Sequence, residues 1–158
     1  MHIRQIEKLD IAIEQLEDAL TAYFAGRYHS AIVLAGAAEQ LLAGYLLKLG
    51  GTPAWSQTRV VVTEIANILR AKDGIAPTTE DKIGDVLNHA YNNSKHAGKS
   101  DHCVYMDPQF EAHAVIDRTI SNYDLLFERG LRVKGVPLAQ RFRMESVSRV
   151  GGNERNAG

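Results

Sequence analysis

The 158-residue chain is long enough for one domain with a sizeable core, and its hydrophobic share of 45% and charged share of 23% place it among ordinary globular proteins. A formal net charge of −1 excludes a wholly basic nucleic-acid binder, so a polyanionic partner would have to be met by a local patch. A single cysteine, Cys103, excludes an internal disulfide and fits a reducing, cytoplasmic compartment.

The first ten residues, MHIRQIEKLD, carry acidic side chains and no apolar stretch, so they do not read as a secretory signal. Ile6, Leu9, Ile13, Leu16, Leu20 and Tyr23 then alternate spacings of three and four, with charged and amide residues between them, and predict an amphipathic first helix. Gly26 breaks it. A second helix is expected from Tyr28 to Gly50-Gly51, folded back on the first as an antiparallel hairpin. From Ala31 to Leu47 this helix is apolar on nearly every face, but Glu39 and Gln40 interrupt it. It falls short of the roughly 20 strongly apolar residues that span a bilayer, so it reads as a buried helix and no membrane partner is expected. Small residues such as Ala35, Gly36, Ala38 and Ala43 let neighbours approach closely, which puts this helix in the middle of the fold.

After a loop holding Pro53 and Trp55, Val62, Ile65, Ala66 and Leu69 predict a third, amphipathic helix over Arg59–Lys72, stopped by Asp73-Gly74. Thr78 with Asp81 resembles a capping box, so a fourth helix is expected to start there and run to about Gly98. Asp107 followed by Pro108 signals a fifth start, and Phe110, Ile116, Ile120, Tyr123 and Phe127 mark one face of that helix up to Gly130.

No segment alternates with period two over a useful length, so the expected fold is all-α, a four- to five-helix up-and-down bundle over residues 1–130. Beyond it the composition changes. From Arg129 onward seven basic residues oppose two acidic ones, a net +5, which leaves −6 for residues 1–128. Residues 131–158 are therefore expected to form a flexible basic extension with a short amphipathic stretch near Leu138–Val147. It reads either as an arm for phosphate or an acidic partner, or as a solvated tail.

On the fourth helix, Ile83, Val86, Leu87, Ala90, Ser94 and Ala97 form the expected packing stripe, which leaves His89, Asn92, Asn93 and His96 on a polar face. His89 and His96 would lie roughly 10.5 Å apart along the axis, too far to share a metal. Asp101, His102 and Cys103 lack the spacing of zinc sites, so no metal or other cofactor is expected. His96 is the candidate acid/base residue, because imidazole titrates near neutrality and Lys95 and Lys99 bring positive charge for a phosphodiester. The competing reading is a helix-end histidine bonded to terminal carbonyls. Glu39 is either an orienting carboxylate that reaches the fourth helix or a half-exposed residue paired with a lysine, and its apolar surroundings favour a specific partner. His113 reads as a hydrogen-bonded core histidine. There is no Gly-rich phosphate loop, Gly-x-Ser-x-Gly elbow or His-Glu-x-x-His motif.

Two segments carry a family resemblance. YHSAIVLAGAAEQLLAGYLLKLGG resembles the second helix of the HEPN superfamily, with its small-residue packing, acidic position and terminal glycine, and NNSKHAG resembles the family's late helix with its asparagine-lysine-histidine ending. The resemblance covers residues 1–128 in architecture and implies a long helical hairpin packed with a shorter helical pair. It also implies metal-independent ribonuclease chemistry, in which two protomers bring together a motif of an arginine, a polar residue, a few variable positions and a histidine. On that pattern Asn92 takes the polar position, His96 the histidine position, and Tyr91 stands where the arginine is expected. The catalytic candidates are thus His96, Asn92, Tyr91 and Glu39, and the RNA-binding candidates Lys95, Lys99, His89 and Asn93. Tyrosine offers one hydroxyl where guanidinium offers a fork of donors. The expected function is a cytoplasmic, homodimeric HEPN-like protein that binds or cleaves RNA, or binds a nucleotide, in a bacterial defence or toxin-antitoxin setting. The alternative is a noncatalytic interaction or regulatory module that takes a protein partner.

Overall fold

The computed structural model describes residues 3, 5–95 and 103–153. Among them the fold is all-helical: α1 (Lys8–Phe24), α2 (Tyr28–Lys48), α3 (Ala54–Lys72), α4 (Glu80–Leu87), α5 (His89–Lys95), α6 (Pro108–Glu128) and α7 (Pro137–Asn153).

The first hairpin follows the periodicity of its sequence. Ile13, Leu16, Leu20 and Tyr23 of α1 are buried, while Ile6 precedes the helix and is exposed. Gly26, at φ 73°, is the left-handed residue that lets the Arg27 amide reach back to the Ala22 carbonyl at 2.8 Å, and α2, α3 and α6 end in the same way. By length and composition α2 could cross a membrane, but here it lies packed between α1 and α6. Ala31, Ile32, Ala35, Ala38, Leu42 and Leu46 enter the core from it, each removing apolar surface from water at about 25 cal/mol per Å².

Three expectations are corrected by the packing. The third helix begins at Ala54 rather than Arg59, so Trp55 is helical and not part of a loop. Asn122 of α6 supplies the missing start signal, its Oδ1 accepting the Ala54 amide at 2.8 Å. The single fourth helix divides at Asn88 into α4 and α5. Its cap is Thr79, whose hydroxyl accepts the Lys82 amide, while the backbone of Thr78 is held by Asn67, whose Oδ1 accepts its amide at 2.7 Å and whose Nδ2 donates to its carbonyl. Val86, expected in the packing stripe, is exposed, and Tyr91 is buried in its place.

The region after Gly130 is the third correction, since it is no separate extension. Val136, Ala139 and Phe142 are buried in the same core as α1, α2 and α6. Its charges help to seat it: Arg143 bonds both oxygens of Asp124, at 2.5 and 2.6 Å, and Lys134 reaches Glu17 at 3.2 Å. Arg141 pairs with Glu145 and lies over the Phe24 ring. Gly151 to Asn153 close α7, and residues 154–158 lie outside the described residues. By contrast, α6 starts as its sequence signals, with Asp107 Oδ1 accepting the Gln109 and Phe110 amides at 3.0 Å each ahead of Pro108. Its Phe110 and Phe127 are exposed, while Ile116 and Ile120 are buried. His113 behaves as a core histidine, with Nε2 2.8 Å from Ser146 Oγ and its ring tilted against Phe142 with centroids 4.6 Å apart.

Candidate functional site

The polar heart of the molecule is a seam between α2 and α6. Glu39 is 8% exposed and is the lone acid of a largely apolar helix, and a carboxylate so placed requires a cationic partner. Arg118 provides it through two bonds, Nε to Oε1 at 2.8 Å and the second nitrogen to Oε2 at 3.3 Å. Neither expected role of Glu39 holds as stated, since its partner is an arginine on α6 and not a lysine or the fourth helix. One residue on, Thr119 donates to the Ala35 carbonyl or to that of Val115, and Asn122 Nδ2 points to the Glu39 carbonyl at 3.5 Å.

This seam also carries α3. Asn122 caps Ala54, and the Arg118 guanidinium lies 5.2 Å from the centroid of the Trp55 ring, so the amide and the cation that serve α2 also fix the first turn of α3. Between α2, the start of α3 and the α4–α5 junction lies a cavity of about 250 Å³. Glu39, Gln40, Trp55, Ser56, Asn88 and Tyr91 supply its polar and aromatic wall.

Tyr91 reaches this wall because α2 has no side chain at Gly36. A Cβ there would lie 2.9 Å from Tyr91 Cγ and overlap the ring edge more closely still. The Lys95 ammonium covers the same ring at 3.8 Å from its centroid. Tyr91, expected at the arginine position of a catalytic motif, is thus a buried aromatic at the floor of the cavity. His89, Asn92 and Asn93 are exposed on α5, and Asn93 Nδ2 bonds the His89 carbonyl at 2.8 Å and lies 3.1 Å from its ring nitrogen. His96 and Lys99, the expected acid/base and phosphate residues, lie outside the described residues, as do Ala97, Asp101 and His102. Cys103 is exposed, and among the described residues no three His, Cys, Asp or Glu side chains converge as a metal site would need.

Sequence reasoning missed Arg118, Asn122 and the role of Trp55. The signal was present in a second stripe of α6. Val115, Arg118, Asn122 and Leu126 follow spacings of three and four beside the Ile116–Ile120 stripe, so one arginine and one amide fall on a face otherwise marked for burial. Beside a lone acid inside α2, that placement defines the pair. Compared with models of known protein families, with curated proteins and with solved structures, the chain has no significant match.

Proposed function

We propose that the chain is a HEPN-like helical module that holds single-stranded RNA without cutting it. The observation that carries this reading is the position of Tyr91. Where the resemblance calls for an arginine that would clamp a phosphate, this chain has a ring only 8% exposed, packed on Gly36 and covered by Lys95. Such a ring offers no fork of donors to stabilise charge on a scissile phosphate. What α5 does present to solvent is His89, Asn92, Asn93 and Lys95, hydrogen-bonding groups and a cation suited to the bases, sugar hydroxyls and phosphates of an unpaired strand.

The test is to incubate the purified full chain with a mixed RNA pool in excess chelator. The expected result is RNA retained intact, with retention falling as salt rises and lost in Lys95→Glu. Chelator-resistant cleavage that disappears in His96→Ala would replace binding with nuclease chemistry. Absence of retention would remove the RNA reading. A second reading, a protein-interaction module, is favoured by α3, where Val60, Val61, Ile65, Ile68 and Leu69 are 40–59% exposed. Its measure is the oligomeric state of the chain with and without charged substitutions on that face.

A further inference from the structure

We infer that the cavity between α2, α3 and the α4–α5 junction accepts a single planar nucleobase bearing an exocyclic amine. The inference rests on the RNA reading for the source of the base, and the pocket chemistry is the same for the base of a free nucleoside.

Size comes first. At about 250 Å³ the cavity lies just below the range of about 300–1,000 Å³ that holds drug-sized ligands, which suits one ring system and not a dinucleotide. Trp55 lines it, and an aromatic wall favours a flat π-faced ligand whatever its sequence context, while Tyr91, its ring packed on Gly36 and covered by Lys95, closes the floor. The charge on the wall then selects the ligand's edge. Each Glu39 oxygen engages one donor of Arg118, and a carboxylate oxygen accepts two, so one acceptor direction per oxygen is left. The amino groups of adenine, cytosine and guanine donate to such a group. Uracil carries a carbonyl where cytosine carries its amine and keeps only its N3–H to donate, with acceptors on both sides of it, so it meets the carboxylate less well. Gln40, Ser56 and Asn88 each donate and accept, so they suit the remaining ring nitrogens and carbonyls. Among the described lining residues there is no lysine, arginine or histidine, so the pocket suits the base and leaves sugar and phosphate outside.

Trp55 is the chain's only tryptophan, so the emission comes from a residue in the wall of this cavity. Titrating the full-length protein with adenosine, cytidine, guanosine and uridine should quench that emission saturably for the first three, with uridine weaker by about tenfold or more. Ala43→Leu, which fills the cavity without touching the Glu39–Arg118 pair, should abolish the quench while the thermal melt is retained. Gln40→Ala, on the exposed side of α2, should weaken it about fivefold or more and serves if Ala43→Leu does not fold. No saturable change with any nucleoside overturns the proposal, as does an unaltered quench in a folded Ala43→Leu protein. Anisotropy of labelled oligoribonucleotides distinguishes the sources. Oligonucleotide binding that leaves Trp55 emission unchanged overturns the pocket and keeps the RNA reading. Nucleoside quenching without oligonucleotide binding supports the pocket with a free nucleoside as ligand and removes the RNA reading.

Discussion

α2 and α3 are both long helices with aliphatic faces, yet they are held in opposite ways. α2 buries Ala31, Ile32, Ala35, Ala38, Leu42 and Leu46 between α1 and α6. α3 leaves Val61, Ile65, Ile68 and Leu69 more than half exposed and is anchored mainly by directional contacts along its length: Asn122 to Ala54, Arg118 over Trp55, Arg59 to Glu80, and Asn67 to the Thr78 backbone. Apolar burial is non-directional and spread over many atoms, whereas a few hydrogen bonds are lost one at a time. The cavity is built where these two regimes meet, one wall from the rigid helix and one from the helix that is pinned. A ligand there would tie α3 to the core.

The sharpest way to break this arrangement is to remove the shared pin. Arg118→Ala leaves the Glu39 carboxylate buried without its counter-charge and takes away the cation over Trp55, and should lower the unfolding free energy by about 3–5 kcal/mol in denaturant titration. Replacing both partners, as Glu39→Met with Arg118→Met, should recover most of that loss, because two apolar side chains of similar length need no partner. Next in size is Gly36→Ala, which drives a methyl into the Tyr91 ring and should cost about 1–3 kcal/mol. Combining it with Tyr91→Ala should give less than the sum of the two single effects in a double-mutant cycle.

Asn122→Ala removes the acceptor of the Ala54 amide and should cost about 1–2 kcal/mol. Its signature is local, with hydrogen exchange of α3 amides accelerated well beyond that of α2. Smallest is Ile68→Lys on the exposed face of α3, expected within about 0.5 kcal/mol of the parent protein by thermal melt. A large loss there, accompanied by a drop in molecular mass on sedimentation, would mean that this face is covered by a second copy and that α3 is less exposed in solution than in the single chain.

Much of the frame was legible in local sequence. The stops at Gly26, Gly50, Gly74 and Gly130, the cap at Asp107-Pro108 and the buried stripe of α1 each depend on residues within one or two turns of one another. The site was less legible. Glu39 stood out as an acid among apolar residues, but its partner Arg118 lies 79 positions away and the cap of α3 lies 68 away. The basic region after Gly130 read as an arm because its charge outweighs its sparse apolar residues. In the fold Val136, Ala139 and Phe142 fall on one side and are buried, while Asp124 and Glu17 take up Arg143 and Lys134.

The sequence by itself determined the all-helical class, the central place of the small-residue helix and four of the helix ends, because capping and periodicity are short-range and each turn carries its own signal. Only the tertiary structure decided that Tyr91 would fill the space left by Gly36, that Arg118 would serve both Glu39 and Trp55, and that α7 would join the core. Those outcomes depend on which faces meet across the bundle, and chain periodicity specifies a face without naming its neighbour.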